Sequence, residues 1–309
     1  MIPVALMEVK DSKPSPSEEL DLLWNPLDAV ASEVAFRALL LSTEELAECD
    51  RYGSIEILAW IARAEAVQGK FSESRTTLEQ GEKLLQEPEA VYAVSVKIRW
   101  LLERGRLYVL EKTPSRAQNL FSAAWTLANS SGEDSLAVEA AQMIAASESP
   151  KAQQEWIMRA ITIAENSQIQ KTKKWLGSLH STLGWKLFDV RQFEKSLEIF
   201  QKALRNFKAY GTEREAFVAQ WSIGRVLRAL GKTEEALTIQ KSLLSEIDLQ
   251  GRRDGRLYEE LAECLQTLKR TTEAQSYFEL AYRELCSDEW VTDNEPLKLK
   301  RMKDLGKVK

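Results

Sequence analysis

A pattern of small and large apolar residues, clearest in residues 178–207, constrains the fold of this chain more than any other feature. Leu183 and Gly184 belong to one run with helical spacing, and Phe200 and Ala203 belong to a second run that follows it. Residues three and four apart lie on one face of a helix, so the stretch predicts two amphipathic helices joined by a turn. We place the small residue where the helices cross, since a larger side chain would push their backbones apart.

The pattern recurs six times, at intervals of roughly 35 to 44 residues, which is the range of helical repeat units. Units of this kind pack only on their neighbours, so a chain of 309 residues can form one array. Polar residues replace expected packing residues at Glu65, Arg104, Glu139 and Gln240. The predicted crossing residues are Ala62, Gly105, Ala140, Gly184, Gly224 and Ala262.

These residues resemble the tetratricopeptide repeat (TPR), a helix-turn-helix unit of about 34 residues. The longer spacing resembles a divergent, long-repeat type of this superfamily. The resemblance implies an all-α, right-handed superhelical solenoid of about six helix hairpins with helical caps. It also implies a concave groove that takes a peptide or a helix of a partner protein. In the unit around Gly184, the family positions hold His180, Leu183, Gly184, Leu187, Ser196, Phe200 and Ala203.

Composition agrees with this class and argues against several others. The 13 glycines and 8 prolines are too few for an all-β chain with its many turns. A net charge of −5 argues against nucleic acid as the main partner. Three cysteines without a CxxC spacing favour a reducing, cytoplasmic location. We expect no signal peptide and no membrane span, because no apolar run approaches the ~20 residues that a bilayer requires.

Local signals divide the chain into four predicted segments. The segment at the C-terminal end carries six basic residues against Asp304, with apolar residues at helical spacing. It caps the last repeat as a short helix, forms a solvated tail, or contacts an acidic protein, RNA or an anionic membrane. The predicted segments are a flexible start (1–20), an N-terminal helical cap or degenerate hairpin (21–52), the repeat array (53–288) and the basic tail or capping helix (289–309).

A second stripe along the first helix of each hairpin would line the groove if the hairpins stack with a constant twist. This stripe carries arginine in an otherwise acidic chain, with tryptophan near its middle. Arginine binds carboxylates through paired hydrogen bonds, and tryptophan offers a large rigid contact surface. The predicted partner-binding residues are Arg63, Arg106, Trp185, Phe188, Trp221, Arg225 and Arg228.

The stripe predicts an acidic protein or peptide partner that also carries an aromatic or leucine side chain. The alternative is that these arginines pair with glutamates of the adjacent repeat and that the tryptophans belong to the core. The Lys and Asn clamp with which some TPR proteins hold a C-terminal aspartate is absent from the corresponding positions. Chaperone C-termini are therefore not the expected ligand, and the oligomeric state stays open.

No pattern in the sequence indicates a catalytic residue, a metal or a cofactor. Gly231-Lys232-Thr233 resembles the end of a phosphate-binding loop, but that motif needs a glycine where Val226 stands and a preceding strand. His180 is the only histidine and falls at a packing position. We expect a non-enzymatic cytoplasmic scaffold or adaptor that binds a peptide segment. The alternative is a ligand- or peptide-responsive TPR regulator that acts through closure of the superhelix.

Overall fold

A computed structural model describes Leu20 and residues 22–45, 51–85 and 94–308, and every statement below concerns these residues. Their regular secondary structure is α-helical, which confirms the predicted all-α class. Most of the predicted flexible start and Cys49 lie outside the described residues. The chain divides into two compact units, a first unit of Met1–Trp156 and a second unit of Ile157–Lys309.

The first unit is a succession of antiparallel helices in which each helix packs against its neighbour in sequence. Contacts join α1 with α2, α2 with α3, α4 with α5 and α5 with α6, and α2 also contacts α4. Its helices are α1 (Ala29–Glu45), α2 (Arg51–Val67), α3 (Phe71–Leu85), α4 (Val94–Leu110), α5 (Pro114–Ser131) and α6 (Asp134–Ser147). The helix α7 (Pro150–Asn166) contains the boundary between the two units.

The second unit repeats this arrangement of successive helix hairpins. Contacts join α9 with α10, α11 with α12 and α13 with α14, and α16 covers α14. Its helices are α8 (Gln170–Lys173), α9 (Trp175–Asp189), α10 (Phe193–Tyr210), α11 (Glu213–Ala229), α12 (Thr233–Leu249), α13 (Gly255–Thr267), α14 (Thr271–Leu285), α15 (Glu289–Asn294) and α16 (Pro296–Gly306).

The predicted crossing glycines lie where the two helices of a hairpin touch. A Cβ atom on Gly105 would lie 2.4 Å from Cε1 of Phe121, and one on Gly184 would lie 2.9 Å from Cζ of Phe200. Both phenylalanines are fully buried. Since carbon atoms in contact stay 3.5–4.0 Å apart, only glycine admits these rings. The aromatic residue that the sequence pattern placed on the second helix therefore fills the space that the glycine leaves.

In the fifth predicted hairpin, formed by α11 and α12, a polar residue fills the space beside the crossing glycine. A Cβ atom on Gly224 would lie 2.3 Å from Nε2 of Gln240, so an amide occupies the position of the aromatic ring. Gln240 is fully buried, and its Nε2 donates a hydrogen bond to the backbone oxygen of Trp221 at 3.1 Å. This hydrogen bond compensates for part of the cost of burying the amide.

Helix α11 begins with a capping box. The hydroxyl of Thr212 accepts a hydrogen bond from the backbone N–H of Glu215, whose carboxylate accepts one from the backbone N–H of Thr212. At the start of α13, the carboxylate of Asp254 accepts hydrogen bonds from the backbone N–H groups of Arg256 and Leu257, each at 3.0 Å. These caps satisfy backbone donors that would otherwise stay unpaired at a helix start.

The basic segment at the C-terminal end is a packed helix. Leu299 and Met302 on α16 are buried against α14, and a Cβ atom on Gly306 would lie 2.7 Å from the backbone nitrogen of Glu279. Its apolar face thus covers the last hairpin, while its lysines lie at the surface. Among the described residues, no helix combines the length and the apolar composition that a bilayer crossing requires.

Candidate partner-binding cleft

A cleft of about 580 Å³ opens in the second unit along α9, α11 and α13, with α15 and α16 at one end. The first helices of three successive hairpins supply its walls, as the predicted groove requires. Trp185, Phe188 and Trp221 form an apolar side, and Trp290 from the C-terminal segment lies at the far end. We call this space the aromatic cleft.

Ring contacts hold the aromatic side of this cleft together. The ring centroid of Trp185 lies 5.5 Å from that of Phe188, 5.9 Å from that of Trp221 and 5.0 Å from that of the buried Phe200. Trp221 donates a hydrogen bond from Nε1 to the backbone oxygen of Arg256 at 3.2 Å. Edge-to-face contacts at these distances stabilise one arrangement of the rings, so the cleft offers a preformed surface.

Arg225 lies among these rings without a carboxylate partner. Its guanidinium carbon is 5.5 Å from the ring centroid of Trp221, 5.8 Å from that of Trp185 and 5.9 Å from that of Phe188. Among the described residues no carboxylate comes within 4.0 Å of it, and its buried Nε has no hydrogen-bond acceptor. Guanidinium donors bind carboxylates in a fixed planar geometry, so Arg225 is poised for an acidic group.

Two other cations that line the cleft, Arg256 and Lys298, already pair with carboxylates. Arg256 lies 2.6 Å from a carboxylate oxygen of Glu295, and Nζ of Lys298 lies 2.6 Å from one of Glu259. Although burial acts to raise the pKa of Glu295, the hydrogen bond from Arg256 and the charge of Lys298 lower it overall. These pairs leave little free charge, which distinguishes them from Arg225.

Arg228 follows one helical turn after Arg225 but faces a different neighbour. It binds Glu260 of α13 with two nitrogen atoms, and Glu260 is only 1 % exposed. A buried carboxylate needs such a partner, so this arginine joins adjacent hairpins. Its pairing corresponds to the structural alternative that the sequence left open for the stripe.

The two predicted residues of the first unit belong to a buried ion-pair network. Arg106 contacts Glu139 and lies 2.6 Å from Glu103, whose side chain is 1 % exposed. Arg63 lies 3.6 Å from Glu103, and its guanidinium carbon lies 5.0 Å from the ring centroid of Trp60. The arginines and glutamates therefore neutralise one another between successive hairpins.

Glu139 is the centre of this network. Burial by itself would raise its pKa, but the charges of Arg106, Arg99 and Arg63 lower that pKa to about 2. Sequence analysis recognised Glu139 only as a polar residue at a packing position. The signal that could have revealed its role was the arginine at the matching positions of two preceding hairpins, Arg63 and Arg106.

Four of the seven predicted residues thus meet in one cleft: Trp185, Phe188, Trp221 and Arg225. The repeat pattern did not predict that Trp290, Glu295 and Lys298 line the cleft, because they lie in the C-terminal segment, beyond the last repeat. Their approach to the cleft depends on how α15 and α16 fold back over the last hairpin, and no local pattern encodes that.

The repeated hairpins define this chain as a helical-repeat protein, with a cleft on the first helices of three hairpins of its second unit. Residues 255–283, which cover α13 and most of α14, match the family model of the tetratricopeptide repeat. This match confirms the predicted resemblance to the tetratricopeptide repeat over residues 255–283, and the all-α hairpin fold agrees with it.

Two curated relatives carry one name, outer dynein arm-docking complex subunit 4. The protein of Xenopus laevis is 31% identical over 118 residues, which are 38% of this chain and 22% of that protein. The protein of Danio rerio is 24% identical over 251 residues, which are 81% of this chain and 47% of that protein. The chain spans less than half the length of these relatives.

Solved structures share the fold over nearly the whole chain. A STAND signal-transduction ATPase with a TPR sensor from Pyrococcus horikoshii aligns with a TM-score of 0.67 at 15% identity, over 96% of this chain and 45% of that one. The apo form of RapI aligns with a TM-score of 0.67 at 13% identity, over 93% of this chain and 84% of that one. At these identities the likeness concerns the fold alone.

Proposed function

We propose that this protein is a non-enzymatic scaffold or adaptor that holds a peptide segment of a partner protein in the aromatic cleft. The observation that carries the proposal is Arg225, a partly buried arginine that lies among three aromatic rings with no carboxylate in reach. An apolar surface with a few well-placed polar groups is the usual make-up of a binding cleft.

The cleft suggests the chemistry of the bound segment. A carboxylate on the segment would receive the hydrogen bonds of Arg225, and a leucine or aromatic side chain beside it would pack on Trp185 and Trp221. Both contacts are of the kind that dominates binding energy at interfaces, where arginine and tryptophan are enriched. The proposal assigns Arg63, Arg106 and Arg228 no contact with the segment, since each is already engaged with glutamate.

The similarity to known proteins supports the binding of a protein partner, without specifying which segment of the partner is bound. TPR proteins bind protein partners, and the name that both curated relatives carry is that of a subunit of a docking complex. The binding of a peptide segment in the aromatic cleft is our proposal for this chain.

A peptide-display selection against the purified protein tests the proposal. We expect wild-type protein to enrich peptides that carry Asp or Glu next to Leu, Phe or Trp. Arg225→Glu should lose these peptides, because it places a negative charge where their carboxylate binds. The matched control is Arg252→Glu, which makes the same charge change on an exposed loop outside the cleft and should retain them.

Two outcomes would contradict the proposal. One is the absence of any enriched motif, and the other is enrichment of the same peptides by wild type and by Arg225→Glu. Circular dichroism of each variant is the control for folding.

A second candidate function, a ligand-responsive regulator, is favoured by the size of the cleft. Its volume of about 580 Å³ lies within the range of small-molecule sites. In this case a small ligand that binds the cleft should reduce the radius of gyration measured by small-angle X-ray scattering, whereas a scaffold should keep its dimensions.

A further inference from the structure

A second cleft in the second unit lies apart from the aromatic cleft and has a different chemistry. It measures about 380 Å³ and lies between the end of α7, α8, the first half of α9 and the C-terminal half of α10. We call it the basic cleft, because its polar side chains are mostly cationic. The lining residues that matter here are Glu165, Lys173, His180, Lys202, Arg205 and Asn206.

The charges in the basic cleft do not balance. Lys173, Lys202 and Arg205 form no ion pair with any described residue, and Glu165 is the single carboxylate on the lining. Three cations and one anion leave a local charge of about +2 in a chain whose net charge is −5. Such an excess is expected to attract a dianion.

His180 contributes a nearly buried polar atom to the same cleft. Its Nδ1 lies 2.8 Å from the backbone oxygen of Leu176 and donates a hydrogen bond to it, since a carbonyl oxygen can only accept. The side chain is 3 % exposed, and Nε2 makes no hydrogen bond with a described residue. A carboxylate oxygen of Glu165 lies 3.9 Å from Nε2. Nε2 is therefore an unpartnered polar atom at the wall of the cleft.

Asn206 adds an amide to this wall. Its Nδ2 donates to the backbone oxygen of Lys202 at 2.9 Å and lies 3.3 Å from Nδ1 of His180. Because Nδ1 already carries its proton toward Leu176, it cannot accept from this amide. The second N–H of Asn206 therefore has no acceptor among the described residues.

We propose that the basic cleft binds a phosphoryl group, either of a small phosphate compound or of a phosphorylated side chain in a partner. A phosphate monoester carries close to two negative charges at neutral pH and three strongly accepting oxygens. Lys202, Arg205 and Lys173 supply the matching charge, and Asn206 supplies a neutral donor. A single carboxylate would satisfy only part of this charge, so we expect acetate to bind more weakly than phosphate.

The presence of a single histidine makes the test direct. In the untagged chain every imidazole signal comes from His180, so a ¹H–¹⁵N spectrum of the ring reports the cleft alone. We would titrate inorganic phosphate, O-phosphoserine and acetate at constant pH and ionic strength. Saturable movement of the His180 signals with phosphate or O-phosphoserine, and weaker movement with acetate, is the expected result.

The double variant Lys202→Gln/Arg205→Gln should reduce phosphate affinity at least about tenfold, because it removes two charge-assisted donors. Its matched control, Lys195→Gln/Lys208→Gln, changes the same charge on exposed positions of α10 outside the cleft and should leave the affinity unchanged. Lys173→Gln, on another element, should weaken binding independently. Tighter binding of O-phosphoserine than of phosphate points to a phosphorylated side chain, and the reverse points to a small compound.

The proposal is overturned if no probe moves the His180 signals, if acetate binds as tightly as phosphate, or if both double variants lose the same affinity. These results are independent of the aromatic cleft, because Arg225→Glu leaves every residue of the basic cleft in place.

Discussion

In the first unit, Arg63 and Arg106 are enclosed by Glu103 and Glu139, whereas in the second unit Arg225 lies among aromatic rings with no carboxylate within reach. All three arginines occupy the same position of their hairpins. In the first unit, Glu139 of a later hairpin contacts Arg63 and Arg106. In the second unit, Arg225 lies among aromatic rings of its own helix and of the preceding hairpin instead. An arginine on the groove side of a repeat is therefore a binding candidate only where its neighbour leaves it unpaired.

The two groups of residues should also differ in how much they contribute to the stability of the fold. The ion pairs of the first unit are buried, and a buried charge that loses its partner is costly. The aromatic cleft is open on one side, so its residues can change with less effect on the fold. Substitutions in the two units should therefore differ in their effect on stability.

Glu139→Ala should lower the free energy of unfolding by about 3–5 kcal/mol, because it leaves three guanidiniums without their shared carboxylate. Urea unfolding followed by circular dichroism measures this change. The control is Glu111→Gln, which breaks the more exposed pair with Arg75 and should cost less than about 1 kcal/mol. Equal losses in the two variants would mean that the network is not a special source of stability.

Acid should destabilise the first unit through the same residue. The pKa of Glu139 in the folded protein is about 2, below its ordinary value of 4.5, so the unfolded state binds more protons in this range. The stabilisation is complete above about pH 4.5 and is lost as the pH falls towards 2, on the order of 3 kcal/mol in total. Glu33, whose pKa is also about 2 despite burial because Lys70 and Arg37 bind it, acts in the same direction.

The measurement is the urea midpoint between pH 5 and pH 2 for wild type and for Glu139→Gln. The variant should show a flatter dependence, since it has no carboxylate to protonate at this position. Glu65, whose pKa is raised by burial, acts in the opposite direction, but it is present in both proteins and cancels from the comparison. Parallel curves would contradict the assignment of the acid sensitivity to Glu139.

Two arginines of α11 should differ in their effect on stability. Arg228→Gln leaves the buried carboxylate of Glu260 without its two hydrogen bonds and should cost about 3 kcal/mol. Arg225→Gln removes contacts with aromatic rings only and should cost about 1 kcal/mol. Thermal unfolding of the two variants under identical conditions checks this order, and a reversed order would argue that Arg225 is a structural residue.

Two crossing glycines, Gly105 and Gly224, should differ in the cost of adding a methyl group. In Gly105→Ala the new methyl group meets the ring of Phe121, which is fully buried, so we expect a loss of about 1–3 kcal/mol. In Gly224→Ala it meets the end of the flexible side chain of Gln240, so the loss should be smaller, below about 1 kcal/mol. Thermal midpoints of the two variants give the comparison, and the larger loss at Gly224 would contradict it.

Much of the fold could be predicted from the sequence because its determinants are local. Helical periodicity and the small crossing residues identified the hairpins, and Gly105 and Gly184 lie against the aromatic rings that the pattern placed opposite them. The aromatic members of the candidate site could be predicted for the same reason, since Trp185, Phe188 and Trp221 follow from their positions on the helices.

The pairing state of each arginine depended on the tertiary structure. Arg106 and Arg225 have equivalent positions in the repeat, and only the packing of the next hairpin shows that the first meets Glu139 and the second does not. The basic cleft likewise required the structure, because its residues come from four helices. A periodic sequence determines which face of a helix is buried, since that depends on spacing along one chain segment. Which charges meet across that face depends on distances of a few ångströms between segments, and packing alone decides these.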